Sequence, residues 1–210
     1  MRARSPASLA PGQPEPLLDE PRDPPDWRAG FGRKAPSEVD LGFGKGEYLI
    51  AVSALHPEID YVGIDYNRGR VLKLRDKLVR LDRRNVRLTC GDASLLVPRL
   101  FEPGSIRAFT INFPDPWPKR RHHRRRFMTR AFGELLATRL APGGRLIVAT
   151  DFRPYAEAII LALKGVRALT PEFPDPGYVT SLPDRIETLY ERKYRELGRI
   201  NHYISYRCPS

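Results

Sequence analysis

The feature that most constrains the fold of this chain is a regular alternation of short β-rich segments with helical periodicity, which begins at Glu38. The predicted strands cover residues 38–41, 61–64, 86–90, 106–111, 145–150, a weaker 166–169, and 201–206. Strands that alternate with helices in this way form a largely parallel sheet with helices on both faces. The sequence therefore predicts an α/β domain.

Three stretches place apolar residues at steps of three and four, the spacing of a helix face that packs against a core. They comprise Val71, Leu74, Leu78 and Leu81; Met128, Ala131 or Phe132, Leu135 and Leu136; and Ile186, Leu189, Tyr190, Tyr194 and Leu197. Residues 141–144, Ala-Pro-Gly-Gly, predict a turn that ends one helix and introduces the next strand.

The first 36 residues differ from the rest in composition. They contain eight prolines and few aliphatic side chains, so they bury too little surface to offset the entropy lost on ordering. A chain of 210 residues fits one domain with a tail. We therefore predict a flexible tail at 1–36 and a single domain at 37–210.

The overall charge points to a polyanionic partner. The formal net charge is +11, which attracts nucleic acid or anionic lipid.

No apolar run of about 18 residues is present, so an integral membrane protein is not expected. The N-terminus lacks the apolar region of a signal peptide, which predicts a cytoplasmic protein. Cys90 and Cys208 lack metal-ligand spacing and are interpreted as reduced thiols, with no metal site.

Much of this charge is concentrated in one segment. Between residues 119 and 130 there are seven positive charges and no acidic residue: Lys119, Arg120, Arg121, Arg124, Arg125, Arg126 and Arg130. A solvated helix face normally alternates the sign of its charges, so this run favours phosphate binding. His122 and His123 lie within the run and are interpreted as further RNA contacts without a catalytic role.

A glycine-rich loop follows the first predicted strand. Residues 40–46 read Asp-Leu-Gly-Phe-Gly-Lys-Gly, and Gly42, Gly44 and Gly46 allow a sharp turn and close approach of a ligand. The alternative is a tight turn without a ligand. Glu47 stands where the dinucleotide fingerprint has Gly or Ala, which counts against a nicotinamide cofactor.

Three carboxylates are predicted at the carboxyl ends of the first three strands, the usual ligand crevice of an open α/β sheet. Asp65 stands at the end of the second strand and can accept hydrogen bonds from ribose hydroxyls. Asp40 lies at the end of the first strand, directly before the glycine loop, and Asp92 follows the third strand. Three anions disfavour a pyrophosphate but suit a ligand with a sulfonium and an ammonium, such as S-adenosylmethionine. Taken singly, each could instead cap a helix.

The segment after the fourth strand, residues 112–119, reads Asn-Phe-Pro-Asp-Pro-Trp-Pro-Lys. Three alternating prolines restrict the backbone, so Asp115 and Trp117 are predicted to lie on a stiff loop that loses little entropy when it binds. The alternative is a simple edge turn. A carboxylate and an aromatic ring directly before a basic cluster favour a catalytic loop.

These motifs resemble those of the bacterial tRNA (guanine-N7-)-methyltransferase family. There the glycine loop reads approximately E-I-G-F-G-K-G-E, the fourth-strand loop F-P-D-P-W-x-K, and a later segment T-D. This chain has D-L-G-F-G-K-G-E at 40–47, F-P-D-P-W-P-K at 113–119, Thr150-Asp151, and E-T-L-Y-E at 187–191. The resemblance covers about residues 38–208. It implies a Rossmann-like class I S-adenosylmethionine-dependent methyltransferase fold with seven strands, the last antiparallel, and methylation of N7 of a guanine in the tRNA variable loop.

The resemblance also implies roles for individual residues. The cofactor region would be lined by Asp40, Asp65, Asp92 and Asp115, and Asp115 would also be the active-site residue. The loop pattern itself adds Gly42, Gly44 and Gly46 to the predicted cofactor site. The tRNA would contact Lys119, Asp151, Thr188, Leu189, Tyr190 and Glu191. Apart from the resemblance, the charge of Arg124, Arg125 and Arg126 predicts that they hold its phosphates. The family usually has Glu where this chain has Asp40 and Asp65, so these two carboxylates are shorter here.

Guanine N7 carries a lone pair and no proton, so its methylation needs alignment and electrostatic stabilisation rather than a general base. Asp115 is predicted to accept hydrogen bonds from the guanine edge, with Trp117 packing on a base. Three other functions remain open from the residues: an exocyclic-amine methyltransferase, a non-catalytic RNA-binding protein and a nicotinamide-dependent oxidoreductase. The sequence does not indicate the oligomeric state.

Overall fold

The structure, a computed structural model, describes residues 24–183 and 185–210, within which seven strands form one sheet. The strands are β1 (Ser37–Leu41), β2 (Asp60–Asp65), β3 (Val86–Cys90), β4 (Ile106–Asn112), β5 (Leu140–Thr150), β6 (Thr170–Pro171) and β7 (His202–Arg207). Their order is β3-β2-β1-β4-β5-β7-β6. Strands β1 to β5 are parallel, and β7 runs antiparallel between β5 and β6. The predicted mostly parallel sheet with an antiparallel last strand is confirmed.

Helices cover both faces of this sheet. They are α1 (Trp27–Phe31), α2 (Glu47–Leu55), α3 (Arg68–Arg80), α4 (Ala93–Leu100), α5 (Arg130–Arg139), α6 (Arg153–Lys164) and α7 (Leu189–Glu196), with a 3₁₀ helix at Arg120–Arg125. Apolar residues of α2 and α3 form one core cluster, and those of α4, α5 and α6 form a second. No helix in the two described ranges has both the length and the apolar character needed to cross a bilayer.

Two details of the predicted elements are wrong. Residues 166–169 form a turn after α6 rather than a strand, and the strand that follows is only the two-residue β6. Val166 and Leu169 are apolar because they fill the core at 2% and 7% exposure, not because they pair in the sheet. Leu81 ends α3 with 40% of its surface exposed, so it lies outside the core-facing stripe.

The third predicted stripe is also shorter than its spacing indicates. Helix α7 begins at Leu189, so Ile186 precedes it and packs against the cluster of α2 and α3. Leu197 follows the helix and is 67% exposed. The stretch has helical spacing, but its apolar residues do not form one buried face.

The predicted turn at 141–144 is a bulge inside β5. Pairing with β4 jumps from Ile106 opposite Leu140 to Ala108 opposite Arg145, so the four residues between them project from the ladder. Gly143 adopts a φ of 74°, a left-handed conformation that favours glycine. The bulge lets helix α5 pass directly into the strand.

Part of the predicted tail packs on the domain. Residues 1–23 lie outside the described range, but α1 contacts the surface near the end of α4. The Trp27 indole Nε1 donates a hydrogen bond of 2.8 Å to the carbonyl of Leu100, and its ring stacks on Phe101 at 5.7 Å. Arg87 donates to the carbonyl of Gly30. The boundary predicted at residue 37 therefore separates α1 from the surface on which it packs.

We expect Trp27→Ala to lower the free energy of unfolding by about 2–3 kcal/mol, because it removes a stacked ring and leaves the Leu100 carbonyl without its donor. Urea unfolding followed by circular dichroism measures the change. Trp27→Phe keeps a ring and should lose less. Equal stability of Trp27→Ala and the unmodified protein would show that the Trp27 contacts add nothing to the stability of the fold.

Candidate active site

A cleft lies at the carboxyl ends of β1 to β4, where the strand order reverses between β1 and β4. Its volume is about 410 Å³, within the range of small-molecule sites. The lining comes from the ends of β1 and β2, the start of α4, the loop after β4, and the 3₁₀ helix. It includes Gly42, Asp65, Tyr66, Arg70, Asp92, Asn112, Phe113, Asp115, Trp117 and Arg125.

The glycine loop lines the cleft at Gly42, while Gly44 and Gly46 lie outside the lining and lead into α2. Gly42, Gly44 and Gly46 all adopt left-handed φ values between 59° and 75°, which explains glycine at each position. A Cβ at Gly42 or Gly44 would meet nothing within 4 Å, whereas at Gly46 it would lie 2.3 Å from a Leu74 methyl. Gly46 therefore permits α2 and α3 to pack, and Gly42 borders open cleft.

Asp65 and Asp92 both line the cleft and both also serve the backbone. The Asp65 carboxylate accepts from the N–H groups of Gly44 at 2.9 Å and Asn67 at 2.8 Å. Asp92 caps α4, where one oxygen accepts from the backbone N–H and the hydroxyl of Ser94. The helix-cap alternative thus holds for Asp92, and its cap geometry also fixes the carboxylate at the cleft.

Asp40 lies behind the cleft lining, to which Asp65 and Asp92 belong. Like Asp65, it is 2% exposed, and its Oδ1 accepts from the Asn112 amide at 3.4 Å. Its Oδ2 is buried and has no hydrogen-bond partner within the described residues. Burial raises the pKa of this carboxyl to about 7, while the nearby Arg185 guanidinium opposes the increase.

The loop after β4 is held in a strained conformation. Phe113 and Trp117 have φ values of 51° and 43°, in the left-handed region that non-glycine residues rarely adopt. The Phe113 ring packs 4.6 Å from that of Tyr190, and the Arg126 guanidinium donates to the Pro116 carbonyl at 3.0 Å. Asp115 between them is exposed, and its side chain makes no hydrogen bond or ion pair with any described residue. The carboxylate is therefore free to accept hydrogen bonds from a ligand.

The three arginines predicted to hold phosphates have different environments. Arg124 is exposed and forms no ion pair within residues 24–183 and 185–210. Arg125 lies over the Trp117 ring at 5.0 Å and lines the cleft. Arg126, half-buried, donates to the backbone of the loop after β4 and lies over Tyr155 at 4.9 Å. Lys119 is exposed at the start of the 3₁₀ helix. Only part of this predicted contact set is thus open to a ligand.

Of the tRNA contacts predicted in and around α7, some are exposed and others are buried. Thr188 and Glu191 form a capping box, with reciprocal hydrogen bonds of 3.1 and 2.7 Å, and the Glu191 side chain is fully buried. Leu189 is the first residue of the helix. Tyr190 is 37% exposed, and burial together with the Asp151 carboxylate raises its pKa to about 12. Asp151 itself pairs with Arg199. Thr188 and Glu191 shape the helix rather than face outward.

Sequence reasoning missed the cleft residues Tyr66 and Arg70 and, behind the cleft, Arg185. Its Nε donates to Glu191 at 2.6 Å and its Nη2 donates to the Asn112 side chain, although only 5% of the side chain is exposed. Its guanidinium also lies over the rings of Tyr48 and Tyr203. A buried chain of polar contacts therefore runs from Asp40 through Asn112 and Arg185 to α7. No motif spacing indicates this role.

Comparison with known proteins identifies the family. Residues 34–203 match the model of a family described as putative methyltransferases. The tRNA (guanine-N(7)-)-methyltransferase of Thiobacillus denitrificans is 38% identical over 193 residues, which cover 92% of this chain and 81% of that protein. The chain belongs to the tRNA (guanine-N7-)-methyltransferase family. The resemblance noted in the sequence motifs is thereby confirmed.

Solved structures support the same fold at much lower identity. A structure described as an antibiotic-related methyltransferase has a TM-score of 0.61 and 12% identity, covering 94% of this chain and 98% of that one. The geranyl diphosphate C-methyltransferase of Streptomyces coelicolor A3(2), solved with S-adenosyl-L-homocysteine, has a TM-score of 0.56 and 15% identity, covering 85% and 72%. The methyltransferase therefore has the class I fold predicted from its sequence.

We expect Arg185→Ala to lower the free energy of unfolding by about 3–5 kcal/mol, because it leaves the buried Glu191 carboxylate without its cationic partner. Urea unfolding at neutral pH provides the measurement. Arg192→Ala is a matched control, since Arg192 is 55% exposed and lies 3.9 Å from Glu187. That exposed pair should contribute less than about 1 kcal/mol. Similar losses in both variants would contradict a stabilising role of the buried chain.

Proposed function

We propose that this protein transfers the methyl group of S-adenosylmethionine to N7 of a guanine in tRNA. The observation that carries the proposal is that one cleft joins Asp65 and Asp92 to the free carboxylate of Asp115, in a chain of this family. The basic 3₁₀ helix borders the same cleft through Arg125. The arrangement combines a small-molecule site with a surface that attracts a polyanion. Such an enzyme would act in the cytoplasm, where tRNA is found.

The residues present fit this cofactor. Each Asp65 oxygen accepts one backbone hydrogen bond, and a carboxylate has about four acceptor sites, so capacity remains for ribose hydroxyls. The unpartnered Oδ2 of Asp40 is a buried acceptor, and a ligand cation nearby would favour its charged form. When bound, the cofactor supplies an electrophilic methyl group on a positively charged sulfur. Asp65 and Asp92 would hold it, with Gly42 allowing close approach, and Asp40 would act on it from behind the cleft through its negative charge.

Methyl transfer to guanine N7 requires chiefly that the protein orient the base relative to the methyl group. Because N7 has a lone pair and no proton, no side chain needs to remove a proton before attack. Asp115 would accept hydrogen bonds from the guanine N–H groups and thus set the angle of the ring in the cleft. As positive charge develops on the purine, the same carboxylate would stabilise it more strongly than the neutral base. Trp117 would pack against a base.

The affinity for S-adenosylmethionine should depend on the ionisation of Asp40. Its pKa is raised to about 7 by burial, with Arg185 opposing, so the carboxyl is largely neutral at pH 6 and charged at pH 8. A cationic ligand prefers the charged form, so the dissociation constant should fall up to about tenfold from pH 6 to pH 8. Isothermal titration calorimetry at several pH values measures this.

Asp40→Asn should bind more weakly at pH 8 and lose the Asp40-dependent part of the profile. Asp76→Asn is the control, since Asp76 pairs with Arg75 on α3, away from Asp40, and it should keep the profile of the unmodified protein. Identical pH profiles for the unmodified protein and Asp40→Asn would remove Asp40 from cofactor binding.

Incubation with tritiated S-adenosylmethionine and tRNA, followed by nucleoside analysis, tests the reaction itself. The unmodified protein should yield labelled 7-methylguanosine. Asp115→Ala should lower kcat by about 10²–10³-fold, because the developing charge loses its counter-charge and the base loses its orientation. Its affinity for the cofactor, measured by calorimetry, should change far less.

Glu102→Gln is the control for loss of a carboxylate, because Glu102 is exposed and lies outside the cleft. It should retain normal turnover. Labelled product other than 7-methylguanosine would refute the proposed function. Normal turnover of Asp115→Ala at saturating substrates would refute only the role of that residue.

A further inference from the structure

Helix α3 carries a line of positive charge that the fold does not require. Arg70, Lys73, Lys77 and Arg80 follow one another at steps of three, four and three, so they lie along one face of the helix. All four are exposed. We refer to these residues as the α3 basic stripe.

The α3 basic stripe is not neutralised by its surroundings. Residues 68–84 contain eight Lys or Arg and only two Asp. One of these, Asp76, pairs with Arg75, and the other, Asp82, pairs with Arg84. Lys73, Lys77 and Arg80 form no ion pair in the part of the chain that the structure describes. Like charges three and four residues apart repel one another, so the stripe does not stabilise the isolated helix.

The position of the stripe connects it to the active-site cleft. Arg70, at its first turn, lines the cleft and lies 3.8 Å from the Asp65 carboxylate. Arg125 of the 3₁₀ helix lines the same cleft. Two cationic surfaces, one on α3 and one on the 3₁₀ helix, therefore meet where a target base would enter.

The length of the stripe suits a nucleic-acid strand. Ten residues of α-helix separate Arg70 from Arg80, a rise of about 15 Å. An extended line of cations that starts at the cleft can reach several successive phosphates of a strand whose base occupies the cleft. A single small anion would need only one of these positions.

We propose that the α3 basic stripe binds the phosphate backbone of the tRNA whose guanine enters the cleft. The inference rests on the proposed function and extends it, because the RNA then contacts the protein on both sides of the cleft. Phosphate contacts carry no sequence information, so the stripe sets the position of the tRNA and adds affinity rather than selecting the base.

The double variant Lys73→Ala/Lys77→Ala tests the inference, since neither residue lines the cleft. The KM for tRNA should rise about five- to tenfold near physiological salt, and the slope of log KM against log salt should fall by about one to two. The kcat at saturating tRNA and the calorimetric affinity for S-adenosylmethionine should stay within twofold of the unmodified protein.

Lys164→Ala/Arg167→Ala is the matched control. It removes the same charge from two exposed residues, one at the last position of α6 and one three residues after it, neither of which lines the cleft. It should leave the KM and its salt dependence unchanged. Urea unfolding of both double variants verifies that neither is destabilised. If Lys73→Ala/Lys77→Ala is destabilised, Lys73→Gln/Lys77→Gln takes its place in the kinetic experiment.

The outcomes separate the inference from the function on which it rests. If the unmodified protein does not methylate tRNA, the proposed function fails. If it does, and Lys73→Ala/Lys77→Ala keeps the normal KM and salt slope, or changes them no more than the control, the stripe does not bind tRNA. Binding of the unmodified protein to phosphatidylserine vesicles that this variant loses, with its tRNA kinetics unchanged, would assign the stripe to a membrane surface and also overturn the inference.

Discussion

The contact between Arg185 and Glu191 is the interaction on which the organisation of the site depends. Both side chains are almost fully withdrawn from water, at 5% and 0% exposure, so their charges are tolerated because they neutralise each other and form further hydrogen bonds. The guanidinium also reaches Asn112 at the end of β4, and Asn112 contacts Asp40 at the end of β1. The ends of two central strands and the start of α7 are thereby joined by one set of polar contacts.

Sequence periodicity predicted the framework because burial selects apolar residues with the period of each element. The strand at Val86–Cys90 was predicted at its observed limits. Periodicity failed where residues are buried for another reason. Val166 and Leu169 are apolar because a turn covers the core, which cannot be distinguished from a strand by composition. The packing of α1 on the domain was not predicted either, because one tryptophan among many prolines does not produce an apolar periodicity.

The site was predicted in part for the same physical reason. Strand ends place Asp65, Asp92 and Asp115 at one edge of the sheet, which is a consequence of topology and therefore accessible from sequence. The orientation of individual side chains cannot be predicted from the strand order. Whether Asp40 lies on the rim or behind it depends on the side chains around it, and Arg185 contacts residues 73 positions away in the chain. Such long-range pairing leaves no trace in local spacing.

The strained backbone of the loop after β4 lowers the folding stability of the protein but limits the number of conformations of that loop. Phe113 and Trp117 each occupy a backbone region that costs about 1–3 kcal/mol for a residue with a side chain. Glycine would remove that cost, yet it would also remove the rings that pack on Tyr190 and on His122. A chain with glycine at these two positions would have a relaxed loop that samples many conformations around Asp115. The protein thus gives up some folding stability to hold the loop after β4 in one conformation without a bound ligand.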